Sequence, residues 1–582
     1  MGLIKKIGYI FTKKQKIRLL ILLIIISIGA FIELLGVTAI LPFINVIMNP
    51  EAIEKTWYLN YVYEKFHFQN TNYFAAFLAM ILAAVYLLKN LYVSLMYNLQ
   101  YHFTFSNQRI LAYRMLECYM RQPYSYHLSH NSAQLMRNVN SDTTMMFQAV
   151  LSSLQLVTEA EVCITLGIYL FIKDKTITLG ISLFLFIFLA VFAKGFKKYL
   201  SFIGAEDRKY CAGITQWMQQ AFGGIKEIKI AGKESFFINN FDFNYKNYAT
   251  CERKYRFLQV VPRPLTEVIC ICGLLAIVVF KLLTGTQSSY FVSTLSLFAV
   301  AAVRLLPSFN RITNYLSIIM FNLPAVESVY HDLKEIESLP KNKLYEKNVL
   351  PLKIKEKIGI KDLYFKYPDA EEYVLKDINF EIKKYQSVGF VGPSGAGKTT
   401  LADIILGALI PTQGQVLVDN ISIDGQMEAW HKNIGYIPQT IYLMDDTIRR
   451  NIAFGVPDGE IDEKRIWDVV EEAQLKEFVE ALSDGLDTQI GERGVRLSGG
   501  QRQRIGIARA LYENPEVLVF DEATSALDNE TENAVMTSIE SLAGSKTIII
   551  IAHRLTTIKN CTVIYEVKDG GIKKVSFEDI SH

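Results

Sequence analysis

Apolar residues run almost unbroken through six stretches of the first 330 positions, at about 18–47, 73–101, 146–172, 176–197, 260–283 and 291–321. A helix that crosses a bilayer needs about 20 mostly apolar residues. Each stretch therefore predicts a membrane-spanning helix, and the longer ones are expected to tilt or project beyond the bilayer. Beyond residue 356 the pattern changes to short apolar runs separated by turn residues and helical stretches, as in a soluble α/β domain. The predicted organisation is a helical membrane domain over 1–330, a linker over 331–355 that holds Pro340 and Pro351, and an α/β domain over 356–582.

Lys5, Lys6, Lys13, Lys14, Lys16 and Arg18 crowd the N-terminal segment, and 196–258 is also rich in lysine. The positive-inside rule puts both in the cytoplasm. An even number of spans then returns the C-terminal domain to the same side. The long connections 104–145 and 198–258 are expected to continue the spans as helices, with short transverse segments at their far ends. These are placed at 124–136 (Tyr124, Tyr126, His127, Leu128) and at 212–219 (Ala212, Ile214, Trp217), where aromatics would dock on the C-terminal domain and carry its motion to the membrane. In the outer connection 48–72, Ile53, Trp57 and Tyr61 are predicted to share one helical stripe, followed by Phe66 and Phe68. Two readings stand: an interfacial helix that touches a lipid chain, or an aromatic belt that anchors the loop.

Charges interrupt the apolar stretches. Lys89 lies in the second, Arg263 opens the fifth between Pro262 and Pro264 with Glu267 one turn on, and Arg304 and Arg311 lie in the sixth; Glu33, Glu159 and Glu161 also fall inside spans. Each such charge costs about 2.5–3.5 kcal/mol at the bilayer centre, so each should face water or a partner. Arg304 and Arg311 are two helical turns apart with Ser308 between them on the same face. They form a cationic wall for an anionic headgroup, since the planar guanidinium bonds two phosphate oxygens. The alternatives are pairing with those glutamates, or snorkelling of Lys89, Arg263 and Arg311 to the interface.

Composition adds little beyond the membrane assignment. Hydrophobic residues make up 51% of the chain, in keeping with the apolar first half. A net charge of +3 gives no basic field of the kind nucleic acid requires. The seven cysteines are scattered without metal-ligand spacing and read as free thiols. No cleavable signal peptide is expected, because the first apolar run is too long and no small-residue cleavage site follows it.

The chemistry is carried by Gly392-Pro-Ser-Gly-Ala-Gly-Lys-Thr-Thr400, between an apolar strand (387–391) and a helical run (401–406). Strand, glycine-rich turn and helix start make a phosphate cradle, with backbone N–H groups and the helix dipole turned toward the anion. Gly392, Ser394, Gly395 and Gly397 shape it; Lys398 reaches the β/γ-phosphates, Thr399 holds Mg²⁺, and Thr400 closes the motif. Tyr367, before Pro368, can stack on an adenine or simply end its strand. Gln439 is a polar ligand toward Mg²⁺ and the attacking water. Leu497-Ser498-Gly499-Gly500-Gln501 opens a long helix and offers a second anion surface. The apolar strand 517–522 ends in Asp521, for Mg²⁺, and Glu522, a base for the hydrolytic water. Asp528 follows shortly, and the buried strand 548–552 leads into His553, placed to touch the γ-phosphate.

In this order, Gly392–Thr400, Gln439, Leu497–Gln501, Asp521-Glu522, Asp528 and His553 resemble the full motif set of an ATP-binding-cassette ATPase, and the segment 488–494 resembles the one by which such exporters sense their transverse helices. Six spans followed by one cassette resemble an ABC exporter half-transporter. The likeness implies ATP and Mg²⁺ as cofactors, transport-coupled hydrolysis with Glu522, His553 and Gln439 as catalytic groups, and a homodimer. In that dimer the Leu497–Gln501 surface of one chain, with Ser498, Gly499, Gly500 and Gln501, closes on the nucleotide held by Gly392–Thr400 of the other, and Asp528 is a further nucleotide-binding residue. A narrower likeness, carried by 31–37, 41–44, 261–263 and 304–311, is to the PglK-type lipid-linked oligosaccharide flippases of the bacterial inner membrane. It implies a polyprenyl-pyrophosphate-linked glycan as substrate and Lys89, Arg263, Arg304 and Arg311 as its pyrophosphate site. It also implies a lipid-contacting outer helix near 53–66. A peptide, lipid or drug exporter is the alternative, and an ATP-gated channel a rival of another class.

Overall fold

The computed structural model describes residues 3–48, 50–173, 175–283, 289–339, 349–368, 370–521, 536–537, 539–552 and 554–580; over 289–304 and at scattered other helical positions only the backbone is described. Two compact units emerge, Met1–Gln122 with Ser129–Lys341, and Pro123–Leu128 with Asn342–His582.

The first unit is helical. It runs α1 (Leu3–Ile10), α2 (Lys13–Thr38), α3 (Ile40–Met48), α4 (Ala52–Lys55), α5 (Trp57–Lys65) and α6 (Thr71–Met120). After the segment assigned to the second unit come α8 (Ser132–Arg137) and, past a short π-turn, α9 (Thr143–Lys173), then α10 (Lys175–Gly223), α11 (Ile225–Ala231), α12 (Glu234–Val260), α13 (Pro262–Leu283) and α14 (Ser289–Ser338); α7 (Tyr124–Ser129) lies between α6 and α8. The six predicted spans fall in α2–α3, α6, α9, α10, α13 and α14. Among the described residues, Lys13–Ile44, Thr71–Met120 and Ser132–Ile172 are long and apolar enough to cross a membrane.

Caps and breakers set the ends. Thr12 and Gln15 close a capping box on α2, with Thr12 N–H donating to the Gln15 amide oxygen at 2.7 Å. Asn70 caps α6 through a 3.1 Å bond from Asn72 N–H, and α6 stops three residues before Pro123. Gly204 admits a close helix crossing: a Cβ there would stand 2.0 Å from the Phe321 carbonyl oxygen of α14. Tyr255 of α12 stacks on Phe321 at 3.9 Å between ring centres.

Three expectations are corrected. Ile53, Trp57 and Tyr61 do not share a stripe, because Thr56 is extended (φ −113°, ψ 109°) and separates α4 from α5. Ile53 is buried while Trp57 is 82% exposed. The transverse segment is not 212–219, which continues α10; the break comes at Gly223-Gly224, and α11 is the short helix. Trp217 instead packs edge-on against Phe236 and Phe237 of α12. Finally, α14 runs on to Ser338 through the start of the expected linker, whose Pro340 lies outside the described residues.

The second unit holds two sheets. The strands β1 (Lys357–Phe365), β2 (Leu375–Lys383), β4 (Gln413–Val418) and β5 (Ile421–Ser422) form an antiparallel sheet ordered β2-β1-β4-β5. The other is ordered β10-β9-β3-β8-β7-β6, with β3 (Ser387–Val391), β6 (Ile434–Ile437), β7 (Val517–Asp521), β8 (Thr547–Ile551) and β9 (Val563–Lys568) parallel, and β10 (Gly571–Val575) antiparallel on the edge. Every residue of β3, β7 and β8 is buried, as a parallel sheet covered on both faces requires. Helices α15 (Lys398–Ile405), α16 (Met427–His431), α17 (Ile448–Ile452), α18 (Glu463–Glu472), α19 (Lys476–Glu480) and α20 (Gly499–Tyr512) surround it. Trp430 is wholly buried, its indole N–H donating to the Ile405 carbonyl at 2.8 Å.

Candidate active site

In a parallel sheet all strands end on one edge, and the loops leaving that edge form a crevice. Four such exits carry the sequence motifs. The phosphate loop leaves β3, Gln439 follows β6, Asp521 terminates β7, and Ala552 leaves β8. Because β8, β7 and β6 lie in turn beside β3, the topology alone brings these exits to one edge.

The loop itself is shaped by glycine. Gly392, Gly395 and Gly397 take φ of 142°, 80° and 97°. A Cβ on Gly392 would stand 2.1 Å from the Val567 carbonyl oxygen. Lys398, buried at the start of α15, donates to the carbonyls of Gly392 (2.8 Å) and Pro393 (3.0 Å), so its ammonium spans the cradle. Ser394 and Thr399 are exposed and Thr400 is buried. Gly392→Ala is therefore expected to add about 1–3 kcal/mol of strain, seen as an ATP affinity weakened about tenfold in a direct binding titration.

Tyr367 lies at the mouth. Its hydroxyl is 3.1 Å from Thr400 Oγ1 and its ring stands edge-on to Phe365 at 5.0 Å. The Thr399 hydroxyl, the Gln439 amide and the Asp521 carboxylate are hard oxygen donors, which suits Mg²⁺. Gln439 is exposed and Asp521 is buried. Glu522, Asp528 and His553 lie outside the described residues.

The predicted second anion surface is a well-formed helix start. Ser498 caps α20: its Oγ accepts from Gln501 N–H at 3.2 Å, and Ser498 N–H donates to the Gln501 side chain at 2.8 Å. Gly499 and Gly500 form the first turn, whose N–H groups point away from the helix body. Arg509 is tied down elsewhere, donating to the carbonyls of Asn451 (2.8 Å) and Tyr442 (2.7 Å), and burial lowers its pKa to about 10.

A groove beside the site was not read from the sequence. Within the second unit, Tyr124 of α7 lines a cavity of about 390 Å³ together with Asp403, Leu406, His431 and Tyr436. Burial pushes the Asp403 carboxyl up to about 6, with Asp521 adding to the rise. Burial also lowers His431, whose ring N–H donates to the Leu406 carbonyl at 2.8 Å. Tyr124 had been singled out; Asp403, His431 and Tyr436 stand on three separate elements with no local motif, and only strand order brings them together.

The predicted anion site in the helical unit is partly paired. Lys89 is buried and bonds Glu33 at 3.2 Å, with its ammonium 4.6 Å from the Tyr86 ring centre. Arg311 holds Glu159 through Nε (2.6 Å) and Nη2 (3.1 Å), and Nη2 also reaches Ser308 at 3.2 Å. Glu159 is 3% exposed on its side chain and Arg311 35%. Arg263 is exposed, and among the described residues no ion pair holds it. The Arg304 side chain lies outside those described.

Two family models match this chain: "ABC transporter" over residues 375–525 and "ABC transporter transmembrane region" over 17–305. A curated relative from Francisella tularensis subsp. holarctica (strain OSU18), named ATP-dependent lipid A-core flippase, is 33% identical over 467 residues, covering 78% of this chain and 74% of its own. Another, an uncharacterized ABC transporter ATP-binding protein (YwjA) of Bacillus subtilis (strain 168), is 35% identical over 366 residues and covers 61% of each chain. Among solved structures, a bacterial Atm1-family ABC exporter with ATP bound superposes with a TM-score of 0.76 over 95% of both chains at 21% identity.

Proposed function

This chain belongs to the ABC transporter family as an exporter half-transporter, and from that premise we propose that two copies flip an anionic lipid across the bacterial inner membrane, their ATPase domains in the cytoplasm. The substrate class that fits best is a polyprenyl-pyrophosphate-linked oligosaccharide. The observation that carries this reading is Arg311, a guanidinium one-third exposed in the sixth apolar stretch, with Ser308 beside it. A hydrophobic drug would need neither group, whereas a phosphate uses the fork.

In this scheme each phosphate loop holds ATP with Mg²⁺, and the capped start of α20 from the second copy closes over it. Lys398 and the Gly392–Gly397 backbone bind and orient the phosphates. Thr399, Gln439 and Asp521 would hold the metal, which would supply charge neutralisation to the phosphates. Glu522 takes the proton of the attacking water, and His553 orients that water toward the γ-phosphate. The names of the curated relatives favour a second cargo, a lipid A-core type of glycolipid.

Reconstitution tests the proposal. Proteoliposomes loaded with a fluorescent polyprenyl-pyrophosphate oligosaccharide are expected to show ATP-dependent exposure of the glycan on the opposite leaflet. Transport of a lipid A-core glycolipid alone would transfer the reading to that cargo. No ATP-dependent movement of either would end the flippase assignment.

A further inference from the structure

Tyr436 stands between two parts of the ATPase, the strand that ends at Asp521 and the groove that seats Tyr124. It belongs to β6 and is in register with Val519 of β7. Asp521 lies two residues beyond Val519, so Tyr436 and Asp521 project from the same face of the sheet. On its other side Tyr436 lines the groove in which Tyr124 of α7 is seated. The phenol is thus bracketed by the Asp521 carboxylate, an acceptor for its hydrogen, and by Asp403 and Tyr124.

We infer that Tyr436 is a positioning residue for the metal carboxylate: Tyr124 in the groove holds the phenol against Asp521, and the phenol fixes the orientation in which Asp521 meets Mg²⁺. The inference rests on the ATPase reading of Asp521. The connection is short and needs no travelling strain. The chain enters and leaves α7 directly from the helical unit, through Gln122 and Ser129. Displacing α7 removes one wall of the groove; the phenol gains rotamers, and Asp521 loses its fixed donor. The metal is then held less well, whatever the nucleotide concentration. Asp403 completes the arrangement from the end of α15, the helix that begins at Lys398. One cavity therefore touches the phosphate-loop helix, the metal strand's neighbour and α7 together.

The test is the Mg²⁺ dependence of nucleotide binding to the full-length dimer, followed with a fluorescent ATP analogue. Tyr436→Phe keeps the ring and removes the donor. It is expected to raise the Mg²⁺ concentration for half-saturation about tenfold, as for loss of one hydrogen bond to a charged group. Binding of the same analogue in excess chelator should be unchanged. Tyr124→Ala should produce a similar shift in the parent and almost none on top of Tyr436→Phe, since both act through one contact. An unaltered Mg²⁺ half-saturation in Tyr436→Phe, or fully additive shifts, would overturn the link. Asp521→Asn separates the two levels: if it leaves the Mg²⁺ dependence untouched, the metal assignment itself falls, not only the role of Tyr436.

Discussion

Glu522→Gln should reduce ATP turnover by about 10²–10⁴-fold, the usual worth of a positioned general base, while leaving ATP binding intact and holding the two subunits closed. The expectation follows from where the strand ends. All five residues of β7 are buried, and the chain leaves the sheet at Asp521 on the same edge as the phosphate loop. Glu522, the next carboxylate in sequence, is the one that the motif order assigns as the base. Replacing it by its amide keeps size and hydrogen bonding but removes the proton acceptor. On the proposed reading, binding rests on Lys398 and the loop backbone, whose ammonium and carbonyl contacts lie within the phosphate loop itself. Turnover of radiolabelled ATP measures the loss. Size-exclusion chromatography or cysteine cross-linking with and without ATP measures the closed dimer. Full turnover in the variant would remove Glu522 from the mechanism, and full turnover by an isolated subunit would remove the two-chain site.

What could be read from the sequence follows a physical divide. The strands 387–391 and 517–521 were visible because parallel strands buried on both faces read as continuous apolar runs. The loop between β3 and α15 was visible because a phosphate cradle admits few residue types: Gly392 and Gly397 take positive φ, and side chains there would strike Val567 and Leu375. Pairings between helices were not visible. Glu33 and Lys89 are 56 residues apart, and only the rotation of α2 against α6 decides that they meet. Both had been named, but as separate charges with several open partners. Helix breaks without proline were also misread. The Gly223-Gly224 step outweighs the aromatic cluster near Trp217, and a single extended residue, Thr56, dissolves the supposed stripe. The groove around Tyr436 was invisible for a third reason: its walls come from a helix end, a strand and a segment almost 300 positions earlier, with no periodic signal linking them.

Removing the charges of Arg304 and Arg311 together should abolish lipid-linked glycan movement while basal ATP hydrolysis persists. The design must respect the pair at Glu159. Arg311→Ala alone would strand a carboxylate that is 3% exposed, and breaking such a pair costs about 3–5 kcal/mol. A loss of transport could then be a loss of fold. Arg304→Gln and Arg311→Gln with Glu159→Gln leaves no carboxylate stranded at 159 and keeps a hydrogen bond available between positions 159 and 311. In that background folding is preserved, and what disappears is the pair of cationic forks. Each charge-assisted bond to phosphate is worth about 1.5–3 kcal/mol, so two lost forks predict a fall in flipping of about a hundredfold or more. Lys89 supplies the internal contrast: it too is paired, with Glu33, but its side chain is only 9% exposed, whereas that of Arg311 keeps 35%. Exchanging Lys89 and Glu33 together for methionine and glutamine should therefore spare flipping. The readout is ATP-dependent glycan exposure in proteoliposomes, with ATP turnover of the same samples as the control. Unimpaired flipping in the triple variant would remove the anion site from α14, and equal loss in the Lys89 and Glu33 double variant would show that charge anywhere in the helices, rather than these two forks, is what the cargo needs.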